Sequence, residues 1–298
     1  MNGEKRNLPA SIHQRLLNKS HETGRSFNEL LQYYGIERLL YRLSISEHSR
    51  KFTLKGALMF NVWGMANLRP TRDIDLLGHT SNAIESMTEI FRDVCTLDGK
   101  ADGLTFDEDI QARHIKEDAD YAGVHVTVIA YLGKTKFPLQ IDIGFADVIT
   151  PAPEPVNYPT LLGHPAPQLH GYPRETTLAE KIQAMVILEM SNSRMKDFYD
   201  VWQLLEYFEF DGKVVQAAIE KTFANRNTAL PQEDHILFSN SFLDGKTVQW
   251  NAFIRKLKIE NATEMGEVLN AIRMFLIPLL NASQQRMVFE KRWDKSWK

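Results

Sequence analysis

The sequence predicts an α+β fold, in which a small mixed sheet with packed helices lies between a helical N-terminal segment and a helical C-terminal lobe. Leucine and tyrosine recur at helical spacing before residue 50, β-branched runs follow up to residue 150, and helical spacing returns after residue 173. We expect four parts: a helical segment over 1–50, a core over 51–150, a proline-rich crossing over 151–173 and a helical lobe over 174–298.

The first part contains two candidate helix starts. Ser11 can cap a helix that runs through Leu17, and Ser26 can cap the next one. Ser26 is followed three residues later by Glu29, which is the spacing of a capping box.

The core shows strand and helix patterns in alternation, which favours a mixed sheet with helices packed on it. Ser81 or Asn82 is expected to cap the longer helix, which runs to about Val94. The predicted strands are Phe52–Leu54, Arg72–Leu77, Gly123–Leu132 and Pro138–Ala146, with a helix from Ala57 to Trp63 after the first.

The crossing over 151–173 holds seven of the twelve prolines, so it predicts an extended, semi-rigid segment and no packed element. Beyond it, Thr177 and Glu180 form a second capping-box spacing that leads a helix over Leu178–Met190. Another helix is expected from about Met195, and helices should dominate from 211 to 289.

Composition places the chain among soluble globular proteins, with 43% hydrophobic and 24% charged residues. A net charge of −3 excludes a bulk polyanion binder, so contact with nucleic acid would need a local basic patch. Cys95 is the single cysteine, and the N-terminus leads into no apolar signal region. No uncharged run reaches the length of a membrane span. We therefore expect a cytoplasmic protein that does not enter a membrane.

The most informative motif is Arg69-Pro-Thr-Arg-Asp-Ile-Asp75, which holds two aspartates one residue apart in an apolar strand. Strand alternation sends Asp73 and Asp75 to one face and Ile74 to the other. Two like charges on one face repel each other unless a cation lies between them. Hard oxygen ligands of this kind suit Mg²⁺ or Mn²⁺, and such an ion in turn holds phosphates.

Two further pieces fit the same chemistry. Lys55-Gly56-Ala57 lies at a strand-to-helix turn, where free N–H groups favour a phosphate, although a tight turn chosen for packing is the alternative. Asp142 interrupts an apolar strand, which is costly unless the carboxylate is paired or metal-bound. It either completes a three-carboxylate site or pairs with a buried lysine.

The last piece is Lys181, followed by a run from Arg194 to Asp200. Asp197 and Asp200 are three residues apart and share one helix face, where ordinary ion pairs with Arg194 or Lys196 are the plain reading.

Other chemistries fit poorly. An aspartyl-phosphate phosphatase would need Thr or Val where Leu77 stands, and a Gly-x-x-x-x-Gly-Lys-Ser/Thr loop is missing from the sequence. The nine histidines form no His-x-x-x-His pair, which argues against zinc, and Cys95 lacks an electropositive motif nearby.

The order of these motifs resembles the AbiEii/AbiGii-type nucleotidyltransferase toxins of the polymerase-β-like superfamily. The motifs are Lys-Gly-Ala, Arg-x-Thr-x-Asp-x-Asp, Ile-Asp-Ile-Gly, Glu-Lys and Arg-x-Lys-Asp-x-x-Asp, and the likeness covers most of the chain. It implies a nucleotidyltransferase-like core in a toxin of a bacterial toxin–antitoxin or phage-exclusion system. NTP as substrate, an RNA acceptor such as tRNA and a cognate antitoxin are the implied partners.

The resemblance also implies residue roles. Gly56 and Ala57 would cradle phosphates, although the superfamily's usual Gly-Ser pair is Gly-Ala here, which removes one hydroxyl donor. From their charge, Lys55 and Arg69 are candidate contacts of the triphosphate, although Arg69, four residues before Asp73, can instead only brace the loop. Thr71 and Arg194 are further candidate nucleotide contacts. The implied metal ligands are Asp73, Asp75 and Asp142, with Asp142 also orienting or deprotonating the attacking hydroxyl. Lys181 would meet the triphosphate, and Asp197 would match the family's essential late aspartate.

One geometric condition tests the last two assignments. If the helices that carry Lys181 and Asp197 formed a tight antiparallel hairpin, roughly 15 Å would separate the two residues. They can then serve one site only if the helices cross steeply.

Two alternatives stay open in the sequence: a nucleotidyltransferase with a small-molecule acceptor, and a nucleotide-binding module without activity. The tail from Arg286 to Lys298, with Trp293 and Trp297, either grips RNA or forms a frayed, soluble terminus, and we expect the frayed terminus.

Overall fold

The structure is a computed structural model that describes residues 7–65, 69–99, 101–117, 121–258 and 263–298. Its contacts divide the chain into two compact units. The sheet unit comprises Met1–Ala146 and Glu154–Tyr172, and the helical unit comprises Asp147–Pro153 and Pro173–Lys298. The mixed α/β architecture agrees with the predicted fold class. The four-part division of the chain stays a prediction.

Helices α1 (Leu8–Thr23) and α2 (Phe27–Ile45) open the sheet unit. Ser26 caps α2 as predicted, since its Oγ accepts from the backbone N–H of Glu29 at 3.2 Å. The predicted cap at Ser11 is wrong. Asn7 caps α1 instead, because its side chain accepts from the N–H of Ala10, and Ser11 lies inside the helix.

Within the described residues, eight strands form one mixed sheet in the order β3–β5–β6–β2–β1–β8–β7, with β4 paired to β5. Strand β1 is antiparallel to β2, while β2–β6 and β1–β8 are parallel. The strands are β1 (Phe52–Lys55), β2 (Asp73–Gly78), β3 (Leu104–Phe106), β4 (Gln111–Glu117), β5 (Tyr121–Leu132), β6 (Thr135–Phe145), β7 (Glu154–Asn157) and β8 (Gln168–Gly171).

The centre of the sheet is apolar on one face, as the alternation predicts. Ile74 and Leu76 on β2 are each 1% exposed, and Ile141 on β6 is fully buried, whereas Asp73 and Asp75 are half-buried. Asp73 and Asp75, which alternate with the buried residues, therefore lie on the other face of β2.

Helix α3 (Leu58–Val62) follows β1, and α4 (Ile84–Thr96) follows β2. The prediction that Ser81 or Asn82 caps α4 is wrong, because the cap residue is Ala83, which has no side-chain acceptor. Ser81 instead accepts from the N–H of Ala83 at 3.2 Å and shapes the turn before the helix.

The expectation that 151–173 adds no packed element is also wrong. Strands β7 and β8 form an antiparallel pair within it, and β8 adds to the sheet beside β1. Pro155 is tolerated because β7 lies at the sheet edge. Strands β3 and β4 were not predicted.

The helical unit contains α5 (Arg174–Leu188), α6 (Met195–Tyr207), α7 (Gly212–Asn225), α8 (Asn240–Leu257) and α9 (Met265–Gln284). The start of α6 and the helical character after residue 211 are confirmed over the described residues. The predicted cap at Thr177 is wrong, because α5 begins three residues earlier, directly after Pro173, and Thr177 is buried inside it.

The C-terminal tail packs into the helical unit, so the expected frayed terminus is wrong. Strand β10 (Arg292–Trp293) pairs with β9 (Phe210–Asp211). Trp293 is 2% exposed and donates to the carbonyl of Leu205, and Trp297 stacks on Phe275 with ring centroids 5.0 Å apart. Trp293 belongs to the core and Trp297 is half-buried against Phe275, which weakens the tail as an argument for base stacking.

Helix α9 is long and apolar enough, by length and composition, to cross a membrane, and 44% of its apolar window is buried within the protein. A core helix passes the same test, and Phe275 and Leu276 of α9 are fully buried.

Candidate active site

The strand register brings the predicted carboxylates together. Strand β2 runs parallel to β6, with Asp73 opposite Gln140 and Asp75 opposite Asp142. Neighbouring strands lie about 4.8 Å apart, so the backbones at Asp75 and Asp142 are adjacent. Asp142 lies between the fully buried Ile141 and Ile143, and its own side chain is 30% exposed. The sheet thus presents Asp73, Asp75 and Asp142 on one half-exposed face.

The turn after β1 lies against the same carboxylates. Lys55 is the register partner of Asp75 on the other side of β2, and Gly56 follows with a φ of +70°. A Cβ on Gly56 would lie 2.0 Å from Oδ2 of Asp75. Glycine is therefore required twice, for the left-handed backbone and for the approach of the Asp75 carboxylate.

Ala57 leads from this turn into α3, which has only five residues among those described. So short a helix carries a small dipole, and phosphate binding here would depend mainly on the N–H groups of the turn. Lys55 is buried, and its Nζ lies 5.9 Å from the centre of the Tyr172 ring.

The segment that leads into β2 is anchored to α2. The N–H of Thr71 donates to the hydroxyl of Tyr33 at 3.0 Å. Burial raises the pKa of Tyr33, so the phenol stays protonated. Arg69 is half-buried in the same segment, two residues before Thr71.

One side chain of this face was not predicted. His125 on β5 is opposite Asp142 in the antiparallel register, and its Nδ1 lies 2.6 Å from Oδ1 of Asp142. The ring is mostly buried, at 14% exposed. Three adjacent strands, β2, β6 and β5, therefore carry Asp75, Asp142 and His125 in one row.

The helical unit holds the second group of predicted residues. Nζ of Lys181 on α5 donates to Oδ1 of Asp197 at 2.8 Å and to Oδ2 of Asp200 at 2.7 Å, both on α6. Arg194 contacts the other oxygen of Asp197, with Nε 2.6 Å from Oδ2. The helices thus meet closely enough for Lys181 and Asp197 to belong to one cluster.

Burial and charge define this cluster. Asp197 and Asp200 are at most 1% exposed and Lys181 is 12% exposed, whereas Arg194 is 38% exposed. Burial alone would raise the pKa of Asp197, but Lys181 and Arg194 together hold that pKa below its usual value. Arg194 is therefore the member of the cluster best placed to meet a solvent-borne anion.

Another group of possible metal ligands lies at the opposite end of β1. Donor atoms of Glu47, His48 and Asp93 lie within 4.8 Å of one another. However, Nζ of Lys51 lies 2.8 Å from Nδ1 of His48, so this nitrogen accepts and Nε2 carries the proton towards Asp93. The arrangement fits a Lys–His–Asp hydrogen-bond chain better than a cation site.

The structure therefore groups the predicted residues within each unit. In the sheet unit, Lys55, Gly56, Asp75 and Asp142 are neighbours in register, with Asp73 on the same face. In the helical unit, Lys181, Arg194 and Asp197 form one ion-pair cluster.

Comparisons with known proteins give a family and a fold. The family model described as nucleotidyl transferase AbiEii toxin, type IV TA system, matches residues 38–273. No curated protein sequence matches significantly.

Two solved structures from Helicobacter pylori are similar to this chain. JHP933 has 12% identity and a TM-score of 0.50, and the match covers 88% of this chain and 97% of that one. A protein described as a "putative nucleotidyltransferase" has the same identity and coverage with a TM-score of 0.43, too low to support an argument.

Proposed function

Because this chain belongs to the family of AbiEii nucleotidyl transferase toxins, we propose that it transfers a nucleotide from an NTP to an RNA acceptor of the tRNA type, with Mg²⁺ or Mn²⁺ as cofactor. The observation that carries the proposal is the register of β2 and β6, which aligns Asp75 with Asp142 beside Asp73. Three carboxylates fixed on one sheet face favour a divalent cation and the phosphates that it binds.

The residues of this face fit such a cation. Asp73, Asp75 and Asp142 offer hard oxygen donors, are half-exposed, and stand on strands whose intervening residues are buried. When bound, the divalent ion supplies charge neutralisation for the phosphates and for the leaving pyrophosphate.

The chain's own groups handle the nucleotide and the proton. The glycine turn at Gly56 lets a phosphate approach the backbone, and Lys55 adds positive charge one residue earlier. The acceptor hydroxyl attacks the α-phosphorus, the bond to the bridging oxygen of the pyrophosphate breaks, and the hydroxyl proton leaves. Asp142 is the carboxylate we assign to orient this hydroxyl and to take its proton.

In the helical unit we assign the phosphate contact first to Arg194, and Lys181 second. The ammonium of Lys181 contacts two buried aspartates, so its charge is already engaged. The guanidinium of Arg194 is the more exposed of the two cations, and Asp197 holds it in place. Asp197 is therefore assigned as a positioning residue.

The family description includes a type IV toxin–antitoxin system, so we propose a cognate antitoxin as a partner and the cytoplasm as the site of action. A small-molecule acceptor is the alternative to RNA. It gains weight from the tail, because Trp293 is buried and Trp297 stacks on Phe275, so both indoles are already engaged within the helical unit.

The test is a transfer assay with purified protein, Mg²⁺, total RNA and each α-labelled NTP in turn. We expect label on RNA with the wild type, no label with Asp73→Ala, and wild-type labelling with Asp109→Ala, an exposed aspartate of the same unit. Label that survives in Asp73→Ala would refute the assignment of the site. Transfer to small molecules but not to RNA would refute the acceptor.

A further inference from the structure

The pair formed by His125 and Asp142 is the strongest feature of the sheet face that the proposed roles leave unused. The 2.6 Å contact joins Nδ1 of His125 to one carboxylate oxygen, Oδ1. A carboxylate only accepts, so Nδ1 must carry the proton and donate it to this bond. The short distance is typical of a charge-assisted hydrogen bond.

The surroundings of the other ring nitrogen agree with this tautomer. Nε2 of His125 lies 3.3 Å from Oγ1 of Thr127, the next residue on the same face of β5. With the proton on Nδ1, a neutral ring has an acceptor at Nε2, and the hydroxyl of Thr127 can donate to it. Thr127, His125 and Asp142 thus form one directed chain of hydrogen bonds.

We propose that His125 is a positioning residue for the transfer reaction, which fixes Asp142 through Oδ1 and leaves Oδ2 for the cation or the attacking hydroxyl. The inference rests on the proposed function, since it assumes that Asp142 is a ligand or base there. Thr127 supports it by holding the ring in the tautomer that donates to Asp142. Hydrogen bonds from such outer groups fix the orientation of carboxylate and histidine ligands in metal sites.

The competing explanation is that His125 only stabilises the fold. The pairing of β5 with β6 allows the two explanations to be distinguished. Strands β5 and β6 pair over nine residue pairs from Val124–Ile143 to Leu132–Thr135, so the hairpin does not depend on one side-chain contact. Loss of the His125 donor should therefore change the behaviour of Asp142 much more than the stability of the sheet unit.

The test uses three substitutions in the full chain. His125→Asn keeps an N–H donor close to the position of Nδ1, His125→Leu removes it at similar size, and Thr127→Val removes the donor to Nε2. We measure the affinity for Mn²⁺ from MnCl₂ titrations by electron paramagnetic resonance, the thermal unfolding midpoint, and kcat and KM for the NTP.

We expect His125→Leu to weaken Mn²⁺ binding and to lower kcat by about 10- to 100-fold, with little change in KM or in the unfolding midpoint. His125→Asn should restore most of both losses, and Thr127→Val should show a smaller loss. His125→Leu with wild-type Mn²⁺ affinity and kcat would overturn the inference. So would equal losses in the Asn and Leu variants.

The two proposals fail in different ways. If Asp142→Asn weakens Mn²⁺ binding but His125→Leu does not, the cation site stands and the positioning role falls. If the wild type does not bind Mn²⁺, the cation site falls and the role of His125 falls with it.

Discussion

Replacement of Lys181 by methionine tests whether this lysine is chiefly an ion-pair residue of the helical unit. The ammonium bonds to Asp197 and Asp200 at 2.8 and 2.7 Å, and both carboxylates are at most 1% exposed. Methionine fills similar space but leaves two buried carboxylates with Arg194 as the remaining cation seen in the cluster. Breaking a buried ion pair from one side costs about 3–5 kcal/mol of unfolding free energy.

A second substitution makes the expected loss specific. Asp200→Asn in the Lys181→Met background removes the buried charge of Asp200, while Arg194 still pairs with Asp197. We expect this double variant to recover about half of the lost stability, roughly 2 kcal/mol, which is non-additive behaviour typical of one charge network. Lys221→Met replaces an exposed lysine of the same unit and should stay within about 0.5 kcal/mol of the wild type.

The assay is urea unfolding followed by tryptophan fluorescence. Four of the five tryptophans belong to the helical unit, so the signal reports mainly on that unit. The reasoning is refuted if Lys181→Met unfolds at the same urea concentration as Lys221→Met while it loses affinity for NTP. That result would make Lys181 the triphosphate contact that the family resemblance implies.

Three further predictions concern the sheet unit and the tail. Gly56→Ala should lower the unfolding free energy by about 1 kcal/mol or more, because alanine is strained in the left-handed conformation, and urea unfolding would measure this loss. The added Cβ should also displace the Asp75 carboxylate and lower kcat by about 100-fold in stopped-flow assays. A fully active variant would contradict the close approach of Gly56 to Asp75. Burial raises the pKa of Glu37 to about 7, so its contribution to stability is complete below about pH 4 and is lost as the pH rises towards 7. The unfolding free energy of the wild type should therefore fall by about 3 kcal/mol more between pH 5 and pH 8 than that of Glu37→Gln. An equal fall in both proteins would refute the raised pKa of Glu37. Trp297→Ala should lower the unfolding free energy by about 3 kcal/mol, because its indole stacks on Phe275 and donates to the carbonyl of that residue; an unchanged value would mean that the tail does not stabilise the unit.

Strands with strong apolar alternation could be predicted from the sequence. Strands whose pairing depends on distant partners could not. Strands β2, β5 and β6 alternate or run apolar over several residues, which local sequence reveals. Strands β7 and β8 have four residues each and obtain their order from β1, which lies about a hundred residues earlier. Proline content favoured an extended chain there, and an extended chain at a sheet edge can still pair on one side.

The place of His125 could have been found from the turn that joins its strand to the next. Gly133 and Lys134 separate two β-branched runs, which is a two-residue hairpin signal. That turn forces Leu132 opposite Thr135, and the same count places residue 125 opposite residue 142. Each candidate carboxylate was recognisable in the sequence as a charged residue within an apolar strand. Their alignment in one row results from the parallel pairing of β2 with β6, which no local pattern specifies.

The sequence left the contact between Lys181 and Asp197 open, because it depends on how α5 and α6 cross. Residues 189–194 connect α5 to α6 through a single 3₁₀ turn, and Lys246 from α8 clasps the carbonyls of Met190 and Asn192 at 2.7 Å each. These hydrogen bonds come from a helix about fifty residues later, so the sequence of the connection alone could not predict them.

The two groups of charged residues differ in what they leave for a substrate. In the helical unit, two buried aspartates engage the ammonium of Lys181, and only the guanidinium of Arg194 is more than a third exposed within this cluster of the described residues. In the sheet unit, three half-exposed carboxylates stand on strands whose alternate residues are packed in the core, so their spacing is set by the sheet. Groups held on strands keep their geometry better than groups on loops, and reaction chemistry demands that constancy. We therefore propose the sheet face for the chemical step and an ion-pair role within the helical unit for Lys181, so that loss of Lys181 should weaken the fold before it weakens turnover.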